Sequence, residues 1–281
     1  MASSSSVEWK KSTGHGPNAP KPKVTKHPIL GYYITSLMVG KPSYSTDLIV
    51  STGSYDTWMQ REGCTTSFPL RQGNFDRKKS RAYRPLPCEH PLCDPHICIN
   101  GSCASEVSYT GTVSITPYNK GQVGLETFIF QDGYRSIKGF PKIVFSCGLD
   151  NHNMQWVVLG ENSTVSGALG LAWGKRSILT QYANETKGCI SYCLPSWYAG
   201  GGTYTSLNFG DNVRIGGHPR SIVQTTALIS NVMGYIVNVM GISINGKRLN
   251  INPEAFRRRP DHTGGFVLDS GTSHTGLVQI A

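Results

Sequence analysis

The sequence has few acidic residues, no long apolar run and no histidine pairs set at zinc-finger distances from its cysteines. Each shortage excludes something. No stretch approaches the roughly 18 consecutive apolar residues of a membrane-spanning helix, so no membrane partner is expected. Met1 to Lys11 lacks the apolar core of a secretory leader. Asp and Glu number 17 against 27 Lys and Arg, a net charge of +10. The cations gather in Lys10 to Lys26, Arg71 to Arg84 and Arg257-Arg258-Arg259. None of these stretches has the interleaved aromatics or helical pattern of a nucleic-acid module. A basic surface on an ordinary globular protein is the expectation, and nucleic acid is not expected as a partner.

Eight cysteines are present, six of them between Cys64 and Cys147. The evenly spaced Cys88, Cys93, Cys98 and Cys103 read as disulfide-forming, with a metal site the second possibility, and their pairing stays open. The sequons at Asn100, Asn162 and Asn184 agree with secretion. Thus the cysteines point to an oxidising compartment while the first residues carry no leader. With 32 Gly, 16 Pro and 38% hydrophobic residues in 281, the chain suits a turn-rich, β-dominated protein with ample core.

The most informative stretch is Phe266-Val267-Leu268-Asp269-Ser270-Gly271-Thr272. An apolar run enters a carboxylate, then a hydroxyl, a glycine and a second hydroxyl, as a strand enters a tight turn. The hydroxyls can bond nearby backbone and fix the direction of the Asp269 carboxylate. The same pattern occurs earlier as Leu48-Ile49-Val50-Ser51-Thr52-Gly53-Ser54. The copies agree in character except that Ser51 stands opposite Asp269. Such a duplication marks a two-lobed protein whose halves each bring one loop to a shared centre.

On these residues the chain resembles the pepsin-like aspartic proteases, in particular the plant branch typified by nepenthesin. Trp58 lies at the family's distance from the first loop, which places the lost aspartate at Ser51. Asp56, five residues on, reads as a solvated turn aspartate. Further landmarks of the resemblance are Leu125-Glu126-Thr127-Phe128, Phe140 to Gly148, Gly167 to Ala172 with Ser177 to Gln181, Ser191 to Pro195, and Leu207 to Asp211. The region from Phe75 to Cys93 resembles the family's cysteine-rich insertion, with Arg61 and Ser67 where two other cysteines would fall.

The resemblance implies an all-β dominated, bilobal pepsin-like fold with an incomplete C-terminal lobe. Residues 1–28 read as a disordered basic tail, 29–215 as the first lobe with its insertion, and 216–281 as a shortened second lobe, since family members continue well past this point. Gly31 to Gly40 reads as the first strand of the fold. Tyr235 to Gly246 reads as two strands joined through a Gly-containing turn. The closing flap falls on Val113 to Pro117 and has lost its usual residues. Tyr109 or Tyr118 would take its ring's place only after a register shift, and both read as surface strand tyrosines.

What the family does follows from two carboxyls sharing one proton. One, ionised, takes a proton from water, and the other, protonated, polarises the scissile carbonyl. Asp269 and Ser51 are the catalytic positions, Ser51 in degenerate form. Thr52, Gly53, Ser54, Ser270, Gly271 and Thr272 support the two loops. The resemblance implies no cofactor and no metal. It implies a peptide or protein substrate or ligand in the interlobe cleft, and an extracellular or vacuolar location. Ser51 cannot supply the second carboxyl's role, so the expected function is an impaired aspartic endopeptidase. The alternatives are a non-catalytic binding protein resembling the plant xylanase inhibitors, or a gene fragment. A serine-protease reading needs a His and an acid placed on Ser51, and His274 reads as a surface residue.

Overall fold

The computed structural model describes residues 21–27, 31–109, 116–131, 137–154, 162–196, 204–215, 224–229, 234–261 and 263–277. The first half is strand after strand: β1 (Lys23–Lys26), β2 (Tyr33–Val39), β3 (Tyr44–Ser51), β4 (Trp58–Gln60), β5 (Arg84–Pro85), β6 (Cys98–Ile99), β7 (Ser102–Ser108), β8 (Tyr118–Gln131), β9 (Ile137–His152) and β10 (Val165–Gly170). Two single-turn helices follow, α1 (Ile178–Gln181) and α2 (Ala183–Thr186). The short strands β11 (Ile190–Ser191), β12 (Tyr204–Ser206), β13 (Asn208–Phe209), β14 (Ile236–Val237), β15 (Ser243–Ile244), β16 (Lys247–Arg248) and β17 (Phe266–Val267) follow, and short 3-10 turns lie at Pro95–Ile97, Gly210–Asn212 and Pro253–Phe256.

β3 shows how composition sets this arrangement. Its Leu48, Ile49 and Val50 are β-branched or bulky and are all buried, as a strand covered on both faces requires. Because side chains alternate, Leu48 and Val50 enter one core with Leu37, Met59, Phe128 and Phe145, while Ile49 enters a second with Trp58, Phe68 and Ala168. The order β12-β1-β2-β3-β10-β4-β9-β8-β7-β6 forms one sheet, and an additional β2–β8 pairing closes the strands from β2 through β8 on themselves. β10 runs parallel beside β3, with Gly170 opposite Ser51. The end of β3 is thereby held against a buried neighbour at the place where the first loop leaves the sheet.

The tail is corrected at its end. Lys23–Lys26 is a strand, pairing with both β2 and β12; Val24 is fully buried and supplies the apolar anchor that the surrounding lysines conceal. Residues 1–20 and 28 lie outside the described residues. The four evenly spaced cysteines form two disulfides, Cys88–Cys98 and Cys93–Cys103, and close the insertion around its own small core of Leu86, Cys103, Val123 and Val144. Cys64, Cys147, Cys189 and Cys193 are free thiols.

The second lobe, as far as it is described, holds two-stranded ribbons and a 3-10 turn at Pro253–Phe256. β14 pairs with β17, and β15 with β16. Tyr235 to Gly246 therefore does hold two strands, but they do not form a hairpin with each other. β14 takes the long-range partner that carries the Asp269 loop instead.

Candidate active site

The first loop leaves β3 at Ser51, and the second leaves β17 two residues beyond Val267. Both are fixed by backbone before any side chain acts. Leu171 N donates to Ser51 O (2.8 Å), Ala172 N to Ser54 O (3.0 Å), and Leu268 N to Tyr235 O (2.9 Å). Tyr235 ties the second loop to the first lobe, its phenol donating to Leu171 O at 2.8 Å. Burial pushes that phenol up to about 12, so it remains a donor at any working pH.

The loops then lock together. Ser270 N donates to Thr52 Oγ1 (2.9 Å), and Thr52 N donates to Ser270 Oγ (3.2 Å). Each hydroxyl passes its own proton to a backbone carbonyl of the opposite strand, Thr52 Oγ1 to Leu268 O (3.0 Å) and Ser270 Oγ to Val50 O (2.7 Å). Thr52 is 1% exposed. This closed set gives each of the four donors an acceptor, as the burial of polar groups requires.

Asp269 points into the centre. Its Oδ1 accepts from Gly53 N and Gly271 N, both at 2.8 Å, and from Ser51 Oγ at 3.3 Å. Its Oδ2 accepts from Thr272 Oγ1 at 2.6 Å. Glycine at position 53 is a matter of space, since a Cβ there would lie 2.5 Å from the Asp269 carboxylate. Ser51, Thr52, Gly53, Ser270, Gly271 and Thr272 thus converge on Asp269. Ser54 works one step back, its carbonyl held by Ala172 and its hydroxyl accepting from Asp56 N at 3.3 Å.

Asp56 corrects the reading of a solvated turn residue. It is 5% exposed, and both of its oxygens are taken by Arg176: Nε donates to Oδ1 at 2.7 Å and Nη2 to Oδ2. Burial raises the Asp56 carboxyl, and the guanidinium opposes the rise. The pair braces the segment after the first loop against the turn that precedes α1. It also keeps Asp56 out of the centre, so this carboxyl cannot replace the one missing at Ser51. Sequence reading missed it because Arg176 lies 120 residues away in a stretch that shows only a helix cap, Ser177 Oγ accepting from Leu179 N.

Tyr109 is the second correction. It packs against the Trp58 core cluster, and Trp58 Nε1 donates to its phenol oxygen. Burial raises that phenol, and both Asp56 and Asp269 lie close enough to act on it. Tyr109 sits at the loop end of the β7–β8 hairpin, where its N donates to Pro117 O (2.9 Å). It therefore borders the centre from the side where the flap was expected. Of the expected flap, Val113, Ser114 and Ile115 lie outside the described residues. Tyr118 is at the surface, stacked on His152 and donating to Asp150 Oδ2.

Among the described residues the Ser51 hydroxyl meets a carboxylate and no imidazole; His274 is exposed and hydrogen-bonded to Ser273. Among the described residues no cluster of three or more His, Cys, Asp or Glu side chains is placed to hold a metal ion. The arrangement, among the described residues, is a single carboxylate with an ordered set of donors, facing a hydroxyl across the loop junction.

Comparison with known proteins agrees with this geometry. Residues 33–211 match the family model described as Xylanase inhibitor N-terminal, and residues 234–281 the one described as Xylanase inhibitor C-terminal. Aspartic proteinase nepenthesin-2 of Nepenthes gracilis is 32% identical over 256 residues, covering 89% of this chain and 53% of that protein. Aspartyl protease family protein 2 of Arabidopsis thaliana is 32% identical over 260 residues, covering 89% and 49%. The chain thus spans about half the length of these curated relatives. In fold it is similar to the crystal structure of EDGP, with a TM-score of 0.64 at 18% identity over 93% of this chain and 67% of that one.

Proposed function

The chain belongs to the plant pepsin-like aspartic proteases, and on that premise we propose that it is an aspartic-endopeptidase relative impaired in hydrolysis, with its cleft retained as a binding site for peptide or protein ligands. One observation carries the proposal. Asp269 Oδ1 faces the hydroxyl of Ser51 at 3.3 Å, where hydrolysis by a dyad needs a second carboxyl.

A lone carboxylate can take a proton from water or, once protonated, donate to a carbonyl. It cannot hold both states at once, and two like charges in contact are what separate the paired pKa values in the family. Serine offers neither charge nor a titration in the acid range. The loss of one acid–base partner removes ~10²–10⁴-fold of rate. The donors around Asp269 remain aligned, and binding draws on alignment and not on turnover.

The family-model match to xylanase inhibitors favours a second reading, in which the occupant of the cleft is another protein and no bond is cut. The two disulfides of the insertion favour an extracellular or vacuolar location. Equilibrium binding of pepstatin to the folded chain tests the retained cleft. Saturable binding weakened by Asp269→Asn is the expected result. Absence of binding, or binding indifferent to that substitution, would remove the cleft from the account.

A further inference from the structure

A cationic face stands apart from the cleft. Between residues 76 and 84 the chain carries Arg77, Lys78, Lys79, Arg81 and Arg84 against the single carboxylate of Asp76. Asp76 is already engaged, accepting from Lys78 N (2.9 Å) and facing Lys79 Nζ (3.4 Å). Arg77 is turned inward, toward Gln122 and over the Tyr83 ring. Lys78, Arg81 and Arg84 are left exposed.

The fold adds two more cations from distant sequence. Arg81 N donates to Lys41 O at 2.8 Å, and Lys41 N to Ser80 Oγ at 3.1 Å. Gly40 N donates to Thr127 O. The β8–β9 register shift between Glu126 and Phe128 leaves Lys142 in the bulge that faces the same Thr127. Lys41 and Lys142 are both exposed. The nearest further acid on these strands, Glu126, is 1% exposed. Five exposed cations of three separate segments are therefore brought together with no exposed acid among these segments free to neutralise them.

We propose that the face formed by Lys41, Lys78, Arg81, Arg84 and Lys142 docks an acidic polysaccharide, a polymer bearing regularly spaced uronate carboxylates. Cations clustered on one side raise the local concentration of a polyanion and steer its approach. The chemistry around them selects among polyanions. Between residues 71 and 84, all of them described, no large apolar side chain is exposed, so neither base stacking nor insertion into a bilayer has an anchor. The cations stand on turns and strand edges, with no helix to enter a groove. The choice among polyanions rests on the extracellular or vacuolar location proposed above from the disulfides, where carboxylated glycans are available polymers of negative charge. β3 runs from Tyr44, beside this face, to Ser51 at the centre, and its eight residues span roughly 23 Å. A polymer on this face leaves the cleft open, so docking and peptide binding are compatible.

The test is binding of the full chain to polygalacturonate at physiological salt, compared with its fully methyl-esterified form, poly-glutamate, duplex and single-stranded DNA, and phosphatidylserine vesicles. Two variants lose equal charge: Lys41→Gln/Lys78→Gln/Arg81→Gln on the face, and Lys175→Gln/Lys187→Gln/Lys247→Gln away from it. Thermal melting confirms that both stay folded. The expected result is saturable binding to polygalacturonate but not to the ester, weakened roughly tenfold or more by the face variant and under about twofold by the control. Equal losses in both variants would show that net charge alone is read and would overturn the proposal. So would equal or tighter binding of poly-glutamate, DNA or vesicles, and so would no binding to polygalacturonate by the folded chain.

Discussion

Thr52 and Ser270 hold one another across 218 residues of sequence, each backbone N–H donating to the other's side-chain hydroxyl, at 3.2 and 2.9 Å. Two loops from different parts of the chain are thereby fixed to one centre through four hydrogen bonds, with the hydroxyl protons spent on Leu268 O and Val50 O.

Removing the Thr52 hydroxyl leaves Ser270 N without its acceptor and Leu268 O without its donor. Thr52→Ala should cost ~1–3 kcal/mol, whereas Thr52→Ser, which keeps the oxygen, should recover most of that loss. Urea unfolding of the three proteins checks it. Equal stability of the Ala and wild-type chains would mean that the junction contributes nothing net.

The buried Asp56–Arg176 pair predicts strongly non-additive single and double substitutions. Asp56→Leu alone strands a guanidinium that is 7% exposed, and Arg176→Leu alone strands the carboxylate; each should destabilise by ~3–5 kcal/mol. Replacing both members by leucine removes the stranded charge and should restore stability to within about 1 kcal/mol of wild type. A double-mutant cycle measured by denaturant melting decides the matter. An additive double substitution would contradict the pairing.

Cys147 is fully buried, and burial pushes its thiol up to about 12. At pH 8 it is therefore a thiol, not the reactive thiolate. Iodoacetamide labelling of the folded chain, read by peptide mass spectrometry, should modify exposed Cys193 and spare Cys147 until denaturant is added. Equal labelling of both in the folded state would contradict the burial.

Substituting Ser51→Asp would set a second carboxyl against Asp269, where the serine now donates a hydrogen bond. Like charges in contact raise the folded-state pKa above the unfolded value of about 4. The folded state then holds its proton more tightly, so the variant loses stability relative to wild type as pH rises from about 4 toward neutrality. Melting temperatures of both chains at acid and neutral pH should diverge with rising pH. A constant difference would mean that the two side chains do not face one another.

The parts of this protein legible in sequence are those whose signal is local. The repeat of Leu48 to Ser54 in Phe266 to Thr272 announced two loops of one kind, and the structure brings them together. Tyr33–Val39 carried its strand signal in branched and aromatic residues. What escaped depends on distant partners. Asp56 looks like any turn aspartate until Arg176 arrives from the far side of the lobe. Val24 looks like a stray residue in a lysine-rich tail until β2 and β12 flank it. Tyr109 looks like a strand surface until the Trp58 indole meets its hydroxyl. Evenly spaced cysteines left several pairings equally open, because spacing carries no direction, and the fold chose partners ten residues apart.

The measurement that bears most directly on the central claim is cleavage of a denatured protein substrate at acid pH by the purified, demonstrably folded chain, with and without pepstatin. With Ser51 opposite Asp269, the account predicts no pepstatin-sensitive turnover. Pepstatin-sensitive cleavage by the folded chain would contradict it, since some second carboxyl would then have to complete the pair.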